Sequence, residues 1–173
     1  FISPGIFIPI LEKNPLIFDV TDWIIHTVCK QLNVWSDKGV KIEVVSINIP
    51  GTYVTNERLK RTLVETVTMY NIRPNQIELE ITETSYVGNI EEAIQAVLEF
   101  RQLGFLVAID DFGTGVSSLS YLKMLAITTL KIDKSFVDGI PNSEKDSEII
   151  KGIISLASSL RLNVVVEGVE HIE

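Results

Sequence analysis

Apolar and polar positions change period repeatedly along the chain. Residues 77–82 alternate strictly, with Ile77, Leu79 and Ile81 on one face and Glu78, Glu80 and Thr82 on the other, which predicts a strand. Residues 41–48 contain Ile42, Val44, Val45 and Ile47, and this β-branched enrichment predicts a second strand ending at Asn48-Ile49-Pro50-Gly51. Residues 106–110, 129–132 and 163–166 read as three more.

Between these segments the period lengthens to that of a helix. Trp23, Ile24, Thr27, Val28, Gln31, Leu32 and Trp35 recur at three- and four-residue spacing over 22–35, and the two tryptophans and most of the phenylalanines are expected in the core. Asn56 is the expected N-cap of a helix over 57–70 with Leu59, Leu63, Val67 and Tyr70 as its stripe. A helix over 91–103 buries Ala93, Ile94, Val97, Leu98 and Phe100 and stops at Gly104 in the left-handed cap position. A short helical segment follows at 119–124. Residues 138–146 read as a surface loop, and 148–160 as a helix with Ile149, Ile150, Ile153, Ile154, Ala157 and Leu160 turned inward.

Strand followed by helix, repeated, with connections long enough for crossover helices, implies an α/β fold with a parallel sheet. The sheet is either open and doubly wound or part of a (β/α) barrel. The 173 residues suit one domain but are short for a complete eight-stranded barrel. Neither an interdomain linker nor a further repeat interrupts the pattern. The chain shows neither an apolar run of the roughly 20 residues that span a bilayer nor a secretory leader, so no membrane contact is expected from this segment.

Composition adds less than pattern: 46% hydrophobic and 22% charged is ordinary for a globular α/β protein. The single cysteine, Cys29, excludes an internal disulfide and fits a reducing compartment, so a cytoplasmic location is expected, with the full-length protein free to be membrane-tethered. A formal net charge of −8 argues against duplex nucleic acid held on a basic surface. It leaves room for a small phosphate ligand approached through divalent cations.

The candidate chemistry lies at strand ends. Asn48, Glu80, Asp110 with Asp111, Lys131 with Asp133, and Glu167 fall at the carboxyl ends of five successive strands, the edge where parallel α/β proteins build sites. Carboxylates at close range repel one another unless cations or hydrogen bonds compensate them, so a metal site is the expectation and a purely structural network the alternative. Oxygen donors without a strand-end His or Cys favour Mg²⁺ or Mn²⁺ over zinc. Adjacent side chains on a strand point to opposite faces, so Asp110 and Asp111 suit a pair of ions more easily than one. Lys131 reads either as an ion-pair partner inside the barrel or as a group that orients water or steadies phosphate charge. The segment 112–118, with Gly113, Thr114 and Gly115, is either a phosphate-facing turn or a tight strand-to-helix connection. His26 and Cys29, one helical turn apart, are packing residues rather than metal ligands.

Taken together, Glu78-Leu79-Glu80-Ile81-Thr82-Glu83, Asp110-Asp111-Phe112-Gly113-Thr114-Gly115, Thr129-Leu130-Lys131-Ile132-Asp133 and Val166-Glu167-Gly168-Val169-Glu170 resemble the EAL domain family in order and context. Ile2-Ser3-Pro4 and Phe7-Ile8-Pro9 extend the likeness over essentially the whole chain. The resemblance implies a modified TIM barrel that hydrolyses cyclic di-GMP to linear pGpG with two Mg²⁺ or Mn²⁺ ions. It implies Asn48, Glu80, Asp110, Asp111 and Glu167 as metal ligands and Lys131 beside the nucleophilic water, with catalysis shared by Lys131, Glu80, Asp110 and Asp111. Glu83, Asp133 and Glu170 become supporting residues, with Glu83 anchoring the loop after Asp111. That loop is similar to a dimerisation and regulatory element, so a homodimer and fused sensory or GGDEF domains are implied as well.

Two departures stand out: Asn48-Ile49-Pro50 replaces the family's Asn-Leu-Ser, and Val116 stands where an aromatic is frequent. Set against the family, the Glu-Ala-Leu segment belongs about ten residues before Phe1 and the closing strand beyond Glu173. The expectation is a partial domain over 1–173, lacking the first and last strands and inactive alone. The alternative function is a degenerate EAL module that binds cyclic di-GMP or a protein partner without hydrolysis.

Overall fold

The computed structural model describes residues 2–82, 90–113, 119–140 and 143–169. Two helices open the chain, α1 (Pro4–Leu11) and α2 (Leu16–Asp37), followed by β1 (Val45–Asn48) and the single turn α3 (Gly51–Val54). The succession continues with α4 (Glu57–Met69), β2 (Ile77–Thr82), α5 (Ile90–Gln102), β3 (Leu106–Phe112), α6 (Leu119–Met124), β4 (Thr129–Ile132), α7 (Glu144–Ser159) and β5 (Asn163–Val166). One-turn 3-10 helices at Pro74–Gln76 and Lys134–Phe136 lead into β2 and out of β4.

All five strands are parallel and lie in the order β1-β2-β3-β4-β5. A doubly wound sheet reverses its order at a switch point; this one never does, so it winds in the manner of a (β/α) barrel. The sheet is open, with β1 and β5 at its two edges. Consecutive register, Asn48 opposite Glu80 and Lys131 opposite Val165, carries the strand ends forward to one rim.

Helix caps match their sequence signals. Asn56 Oδ1 accepts from Arg58 N at 2.9 Å at the start of α4, and Gly104 ends the turn after α5 at φ +94°. One continuous core joins the α4 stripe of Leu59, Leu63 and Val67 to Ile77, Leu79 and Ile81 of β2 and to Val97 and Phe100 of α5.

Several expectations need correction. Helix α2 begins six residues before Asp22, and the face it buries is Ile17, Thr21, Ile25, Cys29 and Leu32. Trp23, 66% exposed, and Trp35, 36% exposed, therefore lie outside the core. The reason is rotational: aromatic rings weighted the stripe toward one side, whereas the sheet selected the slimmer side with Thr21 and Cys29. Strand β1 holds only the last four residues of the predicted 41–48. Residues 138–146 are not loop throughout, because Ser143 Oγ accepts from Asp146 N at 3.2 Å and starts α7 at Glu144. On α7, Ile150 and Ala157 are buried but Ile154 is 40% exposed. Helices α1 and α3 had no counterpart in the periodicity, being too short to display one.

Candidate active site

The alternation in β2 has a second consequence. Glu78 and Glu80 point to the side opposite Ile77, Leu79 and Ile81, yet both are buried, at 8% and 7% exposed, because that side is the barrel interior. Glu78 forms a lower layer: Thr129 Oγ1 donates to its Oε1 at 2.6 Å and Ser46 Oγ to its Oε2 at 3.0 Å. Glu80 stands one step higher, at the rim.

Lys131 reaches up from β4 into the centre of that rim. Its Nζ is 2.7 Å from Glu167 Oε1, 2.9 Å from Glu80 Oε1 and 3.0 Å from Asp110 Oδ1. Burial opposes the ammonium charge, but hydrogen bonds to Glu167, Glu80 and Asp110 outweigh it and hold the group well above the ordinary lysine range. One cation thus gathers three carboxylates, two from β2 and β3 and one from the residue just past β5.

Asp110 and Asp111 depart from simple strand geometry. Ile109 pairs with Leu130 and Phe112 with Ile132, so two residues of β3 oppose Lys131 alone, and the sheet contains a β-bulge there. Asp111 takes φ +53°, and its N–H donates to Asp110 Oδ1 at 3.1 Å. Left-handed backbone is disfavoured for most residues and tolerated by Asp. Regular pleating sends neighbours to opposite faces, but this bulge returns Asp111 to the site: one oxygen each from Asp110, Asp111 and Glu167 lie within 4.8 Å of one another. The expectation that the dipeptide diverges is thereby corrected.

Burial raises the Asp111 carboxyl above the usual aspartate range, and the charges of Asp110, Asp133 and Glu167 add to this while Lys131 opposes it. Negative potential converging on one half-buried carboxylate is what a divalent cation relieves. The all-oxygen donor set fits Mg²⁺ or Mn²⁺ and gives no soft ligand for zinc.

Asn48 completes the last position of β1 and shares with Asp110, Asp111 and Thr82 the wall of an open cavity of about 590 Å³, whose remaining walls are mainly apolar residues of α1 and α2. Asp133 lies just beyond β4, where its Oδ1 accepts from Ser135 N at 2.9 Å and caps the turn Lys134–Phe136. Glu83, Glu170 and residues 114–118 lie outside the described residues. Cys29 is fully buried, and His26 Nε2 lies 3.3 Å from Thr66 Oγ1.

Two groups near the site escaped the sequence reading. Glu78 was legible, since it shares a face with Glu80 two residues on, but nothing local marked that face as interior. A second group, Tyr53 with Asp22 and Arg58, joins α2, α3 and α4 through a 2.6 Å hydrogen bond from Tyr53 Oη to Asp22 Oδ1 and a 2.8 Å one from Arg58 Nε to Asp22 Oδ2. No sequence signal links those three positions.

Comparison with known proteins gives one picture. The profile of the EAL domain matches residues 1–173. The chain is 40% identical over 168 residues to signaling protein YkoW of Bacillus subtilis (strain 168), covering 97% of this chain and 21% of that protein. It is 33% identical over 170 residues to cyclic di-GMP phosphodiesterase PA2567 of Pseudomonas aeruginosa, covering 98% and 29%. The chain therefore spans less than a third of the length of these relatives. Among solved structures, the c-di-GMP complex of the PaMucR phosphodiesterase superposes with a TM-score of 0.92 at 31% identity, covering 98% of this chain and 69% of that one. The cAMP- and cyclic-di-GMP-bound form of the EAL enzyme Bd1971 gives 0.91 at 33%, covering 98% and 47%. The open sheet corresponds to an arc of their TIM-like barrels.

Proposed function

Because the chain belongs to the EAL domain family, we propose that its rim is the site of a metal-dependent phosphodiesterase that hydrolyses cyclic di-GMP to linear pGpG. The observation that carries this reading is the convergence of Asp110, Asp111 and Glu167 within 4.8 Å around the end of Lys131's strand. Relatives named as cyclic di-GMP phosphodiesterases, and neighbours solved with that ligand, supply the substrate class.

In this reading Asn48, Glu80, Asp110, Asp111 and Glu167 hold two Mg²⁺ or Mn²⁺ ions. Such ions supply Lewis-acid polarisation of a phosphoryl oxygen and acidify water at neutral pH. The rest is the work of the chain's own groups. Lys131 draws Glu80, Asp110 and Glu167 together at the rim, and with those carboxylates engaged by the ions its ammonium would be free to donate to the attacking water or to a phosphate oxygen as negative charge develops. The bulge at Asp111 adds a carboxylate without lengthening the strand. Beside these groups, the open cavity bounded by Asn48 and α2 is wide enough for part of a nucleotide, and its mainly apolar walls suit packing against a base. On the same reading the protein is cytoplasmic, with sensory or GGDEF domains fused in the full-length protein and a second copy of the chain as a partner.

The test is hydrolysis of cyclic di-GMP by the full-length protein with Mg²⁺ or Mn²⁺, followed by chromatography of pGpG. Chelation by EDTA is expected to abolish turnover, and Asp110→Ala to lower it at least 100-fold. An Asp110→Ala protein as active as wild type removes the proposed site.

A further inference from the structure

Two of the backbone segments that carry metal-site carboxylates leave the sheet through a glycine at positive φ. Gly113 comes two residues after Asp111 at φ +97°, and Gly168 one residue after Glu167 at φ +72°. Both glycines are covered by the same turn. A methyl group built on Gly113 would lie 2.7 Å from Cε2 and from Cζ of Phe136, and one on Gly168 would lie 2.5 Å from Cγ and 2.7 Å from Cδ of Lys134. Those separations are below any tolerated carbon contact, so each side chain rests directly on bare backbone.

That turn, Lys134–Phe136, is itself held firmly. Asp133 Oδ1 accepts from Ser135 N at 2.9 Å, Val137 N donates to Lys134 O at 2.8 Å, and α7 packs behind it. Its upstream end continues from β4, to which β5 stays joined as far as Glu167, whose N–H donates to Ile132 O at 3.0 Å. One rigid element after β4 therefore touches the chain beyond β3 on one side and beyond β5 on the other.

We propose that Lys134–Phe136 is a clip that sets the separation of the Asp110-Asp111 carboxylates from that of Glu167, with Phe136 and Lys134 as positioning residues for the metal site. This rests on the metal-dependent reading of the rim. Phe136 acts by holding the left-handed turn at Gly113, which follows directly on the bulge that brings Asp111 back to the site. Lys134 acts through its methylenes, which hold Gly168 and so the backbone behind Glu167. Asp133 contributes as the cap of the turn.

The experiment uses the full-length protein as wild type, Phe136→Ala, Phe136→Leu and Lys134→Ala. Mn²⁺ affinity is measured by calorimetry, the electron paramagnetic resonance spectrum of bound Mn²⁺ is recorded, and melting is followed in EDTA. Phe136→Ala and Lys134→Ala are expected to weaken Mn²⁺ binding about 10- to 100-fold, the range for residues that orient metal ligands. Altered spectra should accompany the loss, with metal-free melting close to wild type. Phe136→Leu, which still covers Gly113, should recover most of the affinity. Unchanged Mn²⁺ affinity in both alanine variants overturns the clip while leaving the metal site standing, and so does a loss that follows metal-free melting temperature. A wild-type protein that takes up no Mn²⁺ overturns the metal reading itself.

Discussion

Lys131 Nζ and Glu167 Oε1 are 2.7 Å apart, although they come from the middle of one strand and the residue just past the end of the next. The same ammonium also meets Glu80 and Asp110, at 2.9 and 3.0 Å. Without divalent ions, this lysine is the cation that makes the acidic rim tolerable, and its charge is shared among groups proposed as metal ligands.

Replacing Lys131 by Met should therefore destabilise the metal-free protein by about 3–5 kcal/mol, the cost of stripping the partner from buried charges. Activity should fall about 10²- to 10⁴-fold. Urea unfolding in EDTA measures the first effect. Because cations relieve the same repulsion, added Mn²⁺ should recover more stability in Lys131→Met than in wild type.

Asp111 should trade stability for binding. Its carboxyl is raised in the fold, so the folded state holds a proton that the unfolded state has already released above the ordinary aspartate value near 3.9. Stability must then fall as pH rises from about 4 through the raised folded value and stay lower above it. Asp111→Asn removes that loss, and in EDTA at neutral pH it should be more stable than wild type while losing Mn²⁺-induced stabilisation. Asp111→Ala should be about 1 kcal/mol less stable than Asp111→Asn, since Asn accepts φ +53° more readily. Thermal melts between pH 4 and 8, with and without Mn²⁺, separate these effects.

Tyr53 is fully buried, stacked on Phe18 at a 4.6 Å ring separation, and donates to Asp22. Burial first, then its bond to Asp22, pushes the phenol above the ordinary tyrosine range. Tyr53→Phe should cost about 1–2 kcal/mol in urea unfolding, because Asp22 loses a donor while the ring packing is kept. In an alkaline absorbance titration, this tyrosine should ionise only with unfolding.

Cys29 offers a probe of the core under α2. Burial pushes its thiol up to about 11, and no part of the residue is exposed. A thiol reagent at pH 8 should leave the folded protein unmodified for as long as α2 stays docked and react promptly in denaturant. Fast labelling of the folded state would show that α2 opens locally.

Local pattern and fold agreed where an element is long and one-sided. The α4 stripe of Leu59, Leu63 and Val67, the alternation of β2 and the cap at Asn56 all read correctly, because each signal lies within a few residues of its cause. Residues 22–35 showed a helix but the wrong buried side. Several faces of that segment are apolar enough to pack, and the sheet chose among them.

By itself, the sequence determined the succession of strands and helices, the polar residue closing each strand, and the family motifs, since period, turn residues and residue chemistry are local properties of a chain. Tertiary structure decided what those residues do together. A bulge exists only in the pairing of β3 with β4, where two residues face one, so no reading of Asp110-Asp111 alone can turn Asp111 back toward Lys131. Likewise, Glu78 and Glu80 are interior only because the sheet curves without reversing its order, and the grip of Phe136 and Lys134 on two glycines depends on backbones about 20 and 30 residues away in sequence meeting at one rim.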